Sequence, residues 1–189
     1  MKTIRKLLLM LILVASVSVY GQEHISPVPI DGFWGINLPC SKQELMKALK
    51  EKGYDDHDIS YDRQNKAYSI YYPTLAGFDF DIASFRMYND ETMYYGQFST
   101  GFDKDQDLEA LVYLDDIFKI VTSKYKAPNP VNHEAYILFY AWVDRDENLI
   151  VLTLQESLSQ RGKERYYIKL EYYNNEYDNK ERERIENEI

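Results

Sequence analysis

The chain has 189 residues, a single cysteine, 18 tyrosines and a formal charge of −9 at pH 7. One cysteine excludes an intramolecular disulfide. The acidity works against nucleic-acid backbones and anionic membrane surfaces as partners, and the length allows about one domain with a real core.

Taken from the start, Lys2, Arg5 and Lys6 form a positive head, and Leu7 to Val19 is an uncharged, mostly apolar run of 13 residues. Val19 and Gly21 then put small residues at the −3 and −1 positions of a cleavage site before Gln22. Ser16 and Ser18 leave cleavage after Ser18 as the alternative. Charge, apolar run and small-residue site together make the secretory pattern. A spanning helix needs about 20 apolar residues, so the run is too short for an anchor. A lipoprotein needs a cysteine directly after the run, and Cys40 stands far downstream. The expectation is a signal peptide over 1–21, with a periplasmic or extracellular product that makes no further membrane insertion. Losing the three positive charges takes the formal charge from −9 to −12.

Residues 22–30 read as a polar, proline-containing lead-in, and a single domain is expected over 31–173. Ser41 and Glu44 form a capping box, in which each side chain answers the other's free backbone N–H. Leu45, Ala48 and Leu49 give an apolar stripe, and Gly53 is a good stop, so a helix is predicted over 42–52. Ile59-Ser60-Tyr61 suggests a short strand. Longer strands are predicted over 66–72, 78–88 and 93–101, with a bulge near Ala83-Ser84 where the alternation changes phase. Leu108, Leu111, Leu114, Phe118, Val121 and Tyr125 recur at helical spacing, behind Asp103, Asp105 and Asp107 at a helix start. Ala127-Pro128-Asn129-Pro130 ends that helix. Strands are predicted over 134–143, 148–156 and 165–173. Residues 174–189 read as a charged tail, frayed or loosely helical.

This order is a helix and three strands, twice over. It predicts an α+β fold, a two-layer sandwich in which two helices cover one face of a mainly antiparallel sheet of about six strands. The pattern suggests a degenerate duplication of an α-β-β-β unit.

Phe33-Trp34-Gly35-Ile36-Asn37-Leu38-Pro39, followed by Ser41, Glu44-Leu45, Leu49 and Lys52-Gly53-Tyr54, resembles the opening of a group of small secreted proteins from Gram-negative gut-type bacteria. Ser123-Lys124-Tyr125 is similar to a later segment of that group, with Lys126-Ala127-Pro128 where glycine is usual. The resemblance brings no catalytic residues. The duplicated plan also resembles the β-lactamase inhibitory protein fold, whose concave sheet face binds a protein; fold by itself does not set function.

Two chemistries compete for the conspicuous residues. Cys40 directly precedes a helix, where a thiol pKa can fall. Cys40-Ser41 also resembles the helix start of the NlpC/P60 cysteine peptidases, although Pro39 and Lys42 replace their aspartate and glycine. A hydrolase using Cys40 and His133 is therefore one reading. The simpler reading makes Cys40 and Leu45 a hydrophobic staple. Asp103-x-Asp105-x-Asp107 and Asp144-x-Asp146-x-Asn148 resemble calcium loops, but the sixth position is leucine in both, where glycine is required. They read as helix-start acids and a turn. No metal site or cofactor is expected.

The strand over 134–143 is apolar on both sides. One side carries Ala135, Ile137, Phe139, Ala141 and Val143, the other Tyr136, Leu138, Tyr140 and Trp142. A half-buried strand should be polar on its wet side. The expectation places the small aliphatic side under the helices and the aromatic side outward. Over 165–173, Tyr166, Ile168, Leu170 and Tyr172 suit the core, and Tyr167, Lys169, Glu171 and Tyr173 the open face. The favoured function is a non-enzymatic exported binding domain. Its partner, a protein, peptide or cell-envelope component, would engage Tyr136, Tyr140, Trp142 and Tyr167.

Overall fold

The computed structural model describes residues 25–130, 136–159 and 162–187. The expected signal peptide and His133 lie outside the described residues. The fold is α+β, with three helices among the described residues and a nine-stranded sheet in which every pairing is antiparallel.

The chain enters through a hairpin of β1 (Gly32–Phe33) and β2 (Ile36–Asn37), then β3 (Cys40–Ser41) and helix α1 (Lys42–Glu51). The expected capping box is present: Glu44 N–H donates to Ser41 Oγ at 3.3 Å, and Ser41 N–H donates to Glu44 Oε2 at 2.8 Å. Leu45 and Leu49 are fully buried. There follow β4 (Ser60–Asp62), β5 (Ala67–Tyr71), a small hairpin of β6 (Thr74–Leu75) and β7 (Phe78–Asp79), β8 (Ile82–Tyr88) and β9 (Thr92–Asp103). Helix α2 (Asp107–Tyr125) buries Ala110, Leu114, Ile117, Val121 and Tyr125. Of the expected stripe, Leu114, Val121 and Tyr125 are buried and Leu111 and Phe118 are partly buried. Leu108 is exposed, because the buried face is centred on Ala110 and Ile117. The chain closes with β10 (Asn129–Pro130), β11 (Leu138–Val143), β12 (Leu149–Leu158), β13 (Glu164–Tyr173) and helix α3 (Asn175–Asn187).

The strand order is β10-β11-β12-β13-β9-β8-β5-β4, with β3 beside β9. Thus β9 and β13, both long, form the middle of the sheet. One face packs under α1 and α2. Leu152, Leu154, Ile168, Leu170, Tyr172, Phe98 and Phe85 belong to its buried cluster.

Four expectations need correction. The sheet has nine strands: the short strand suggested at Ile59-Ser60-Tyr61 joins it as β4, and β3 and β10, of two residues each, are too short to show an alternation. The phase change over 78–88 is not a bulge at Ala83-Ser84. Residues 78–79 belong to the β6–β7 hairpin, and the irregularity lies between Arg86 and Met87, where Tyr94 is the extra residue on β9. The lead-in is part of the fold. Ser26 N–H donates to Val143 O at 2.6 Å, Ile30 N–H donates to the Asp144 carboxylate at 2.7 Å, and Ile30 is fully buried. The tail from Asn175 is a helix. It has no apolar stripe; instead Tyr177 N–H donates to Asn174 Oδ1 at 3.2 Å as an N-cap, and Lys180–Glu176 and Arg182–Asp178 are i, i+4 pairs.

Candidate functional site

Register decides which side chains share a face. Trp142 lies opposite Ile150 on β12, and Ile150 opposite Tyr172 on β13. Side chains directly across an antiparallel ladder point the same way. Trp142 therefore belongs to the helix-covered face with Tyr172, and so do Tyr140 and Leu138. Trp142 is only 1 % exposed; its Nε1–H donates to Lys126 O at 3.0 Å, and its ring lies 5.8 Å from that of Phe118. The Tyr140 ring is 4.6 Å from Phe118 and half-buried, and burial raises its phenol pKa. The expected orientation of this strand is thus reversed. Helix α2 meets it through Phe118, and large rings fill the space beneath. The small residues Ala141 and Val143 turn the other way.

The four expected binding residues consequently do not form one patch. Tyr140 and Trp142 are under α2. Tyr167 is on the opposite face as expected, its ring over Gly101, where a Cβ would come within 3.1 Å of Tyr167 Cε1. Tyr136 precedes β11 and is half-buried, 5.4 Å from the Phe139 ring.

The second face carries a feature that the sequence did not announce. Ser60, Ser69, Ser84, Gln97 and Glu171 stand directly across five neighbouring strands, each paired with the next. The row continues as Val151 and Ala141. Strands lie about 4.8 Å apart, so this is a regular ladder of hydroxyl, amide and carboxylate groups. Ser69 Oγ and Ser84 Oγ share a hydrogen bond at 2.9 Å. The Tyr95 hydroxyl lies 2.6 Å from both Gln97 Oε1 and Glu171 Oε1. It has one proton to give, and the carboxylate is the stronger acceptor. The Gln97 amide, turned about its last bond, then presents NH2 to the phenol oxygen. Tyr173 also donates to Glu171, at 3.2 Å, and its ring meets Tyr95 edge-on at 4.9 Å. Burial, with the Glu171 charge beside them, holds both phenols protonated far above the ordinary tyrosine range. Arg86 lies over the Tyr95 ring at 4.7 Å.

Helix α3 borders this face. Asn174 N–H donates to Tyr94 O at 2.9 Å, and the Tyr177 ring meets Tyr88 edge-on at 5.6 Å. Beyond the other side of the row stand Tyr167 and Tyr71, the latter 60 % exposed. Glu171 and Tyr95 are buried, at 9 % and 3 % exposed, so they brace the ladder from beneath. Its accessible part is Ser60, Ser69, Ser84 and Gln97, with Tyr71 beside them. Hydroxyl and amide groups next to an exposed ring can offer hydrogen bonds and a ring face together, which is recognition chemistry.

Cys40 is 7 % exposed, its Sγ 3.9 Å from Met93 Sδ, and it belongs to the same buried cluster as Leu45. Burial, helped by the Glu44 carboxylate, pushes its thiol up to about 11. This is the opposite of activation. With a folded-state pKa above the unfolded one, the native protein holds the thiol proton more tightly, and this stabilisation fades as pH rises through 9 towards 11. At pH 8 the native thiol should resist iodoacetamide and react fully only after denaturation; comparable rates in both states would show an accessible thiolate.

The acidic pairs are engaged locally. The Asp144 carboxylate accepts from the backbone N–H groups of Ile30, Asp146 and Asn148, and Asp103 pairs with Arg165 at 3.0 Å. Among the described residues no helix is long and apolar enough to cross a membrane. Comparison of the chain with protein-family models, with curated proteins and with solved structures gives no match.

Proposed function

We propose that the chain is an exported, non-enzymatic binding domain, periplasmic or extracellular once residues 1–21 are removed. Its partner is a protein, peptide or cell-envelope component that lies along the second face of the sheet. The observation that carries this reading is the Ser60-Ser69-Ser84-Gln97-Glu171 row with tyrosines on both sides. The site moves from Tyr140 and Trp142 to this row and keeps Tyr167.

The proposed two-layer, duplicated architecture is compatible with the strand order. The triplets β5-β8-β9 and β13-β12-β11 are each a meander, each follows a helix, and they meet at the β9–β13 pairing. A duplicated frame of this kind presents one broad sheet surface, in keeping with the resemblance to the β-lactamase inhibitory protein fold.

The test uses Ser84→Arg with Tyr71→Ala on the second face, and Tyr140→Ala on the helix face for comparison. Immobilised protein should retain its envelope-fraction partner roughly tenfold less well with the first pair. Tyr140→Ala should leave retention near the parent level. Undiminished retention by the folded double variant would remove this face from consideration.

A further inference from the structure

On the helix side of the sheet, away from the polar row, lies a cleft of about 340 Å³. The β1–β2 hairpin forms one wall with Phe33 and Trp34, and the β6–β7 hairpin another with Leu75 and Phe78. Helix α2 supplies Ile117 and Val121, and the sheet supplies Ile150 and Leu170. Apolar clefts in this size range suit small ligands, and this one is at the lower end, with room for one slim chain.

Its walls are held in place. Trp34 Nε1–H donates to Thr74 O at 3.1 Å, which ties one hairpin to the other. The Trp34 ring stacks on Phe85 at 6.3 Å and meets Phe98 edge-on at 5.1 Å. Trp34 and Ala76 both have positive φ, at 56° and 52°, each preceding a glycine in a two-residue turn. Such turns favour Asn or Gly at the first position, so both hairpins keep a costly residue there. The cleft is therefore preformed, and a ligand need not first order its walls.

The cleft margin departs from the charge of the molecule. In a chain of net charge −9, the cleft lining holds one lysine, Lys124, and one acid, Asp31, and a second lysine, Lys52, stands next to the lining residues Trp34 and Gly35. Lys124 lines the cleft, with Nζ 4.8 Å from the centre of the Tyr125 ring. Lys52 Nζ is 4.5 Å from the Trp34 ring and 3.8 Å from where a Cβ on Gly35 would stand. Trp34, Tyr125 and Gly35 all line the cleft, so cation–π contacts hold both ammonium groups beside it. Ile120, 43 % exposed, adds an uncovered apolar group among the lining residues.

We infer that this cleft binds a single-chain anionic amphiphile, with its acyl chain between the hairpins and α2 and its acidic head beside Lys52 and Lys124. Phe33, Phe78, Ile117 and Val121 would cover the chain, and the two lysines would choose an anionic head over a cationic one. This site is separate from the polar row and does not depend on it.

Dodecanoate, kept below its micelle concentration, is the probe, and titration is followed by calorimetry and by Trp34 fluorescence. Saturable one-to-one binding is expected, with dodecyltrimethylammonium at least tenfold weaker. Lys52→Gln with Lys124→Gln, both surface changes, should weaken dodecanoate roughly tenfold and leave dodecanol unchanged. Val121→Trp, which fills the cleft, should abolish binding of both; its circular dichroism checks that it folds. Absence of saturable binding, equal affinity for the cationic probe, or an unchanged lysine double variant would overturn the proposal. Undiminished binding by folded Val121→Trp would also overturn it, because the amphiphile would then sit elsewhere.

Discussion

Replacing Trp142 with alanine should lower the unfolding free energy by about 3–5 kcal/mol, the usual cost of emptying a buried aromatic site. The side chain is almost wholly enclosed, so truncation leaves a hole between α2 and the sheet rather than a bare surface. It also removes the donor to Lys126 O. Lys126 follows the last turn of α2 with φ 70°, and its N–H donates to Thr122 O at 2.9 Å. The indole thus seals a helix end whose carbonyls need partners. Trp142→Phe should recover part of the loss, because it keeps an aromatic ring beside Phe118 and gives up the hydrogen bond and the smaller volume by which an indole exceeds a phenyl ring. Urea unfolding monitored by circular dichroism measures all three proteins. A Trp142→Ala protein within 1 kcal/mol of the parent would mean that the ring is not part of the core.

Gly96→Ala should destabilise by about 1–3 kcal/mol, through overpacking. A Cβ there would fall 2.6 Å from Phe33 Cδ1 and 2.9 Å from Cε1, with Met93 Cε at 3.3 Å. Methionine can move aside. Phe33 cannot do so cheaply, because its ring is 4 % exposed and lies 5.2 Å from Phe98 and 6.1 Å from Tyr172. Gly96 therefore makes room for the entering hairpin to lie on the central strand. Shortening the ring as Phe33→Leu should suppress the penalty, so the double variant should be more stable than the two separate losses imply. A coupling of about 1 kcal/mol or more in a double-mutant cycle is expected. Additive losses would show that Phe33 is not what the new Cβ meets.

These two sites show where sequence and fold part company. Helices α1 and α2 could be read directly, because a capping box and a three- and four-residue apolar repeat are local features. The division of β13 into two sides could also be read from Lys169 and Glu171, but the open position expected for Glu171 was not met: it is buried, at 9 % exposed, beneath Tyr95 and Tyr173, whose hydroxyls donate to it. The same rule had nothing to act on in β11, where both sides are apolar. Its orientation follows from the pairing Trp142–Ile150–Tyr172 and from Phe118, which lies outside the strand. The two hairpins at the cleft were missed as turns because Trp34 and Ala76 stand where Asn or Gly would signal one. Helix α3 was expected only as a frayed or loosely helical tail, because its stabilising contacts are a cap and surface pairs, with no buried stripe.

By itself the sequence determined the main helices, the longer strands, the α+β class and the expectation of export, because each depends on residues near one another in the chain. Tertiary structure decided what no window of the chain contains. It turned β11 towards the helices, buried Cys40 against Met93, and lined up Ser60, Ser69, Ser84, Gln97 and Glu171 from five separate strands. Side-chain alternation is set by the backbone one residue at a time. Which side faces the core, and which residues become neighbours across a sheet, is set by register between strands far apart in sequence.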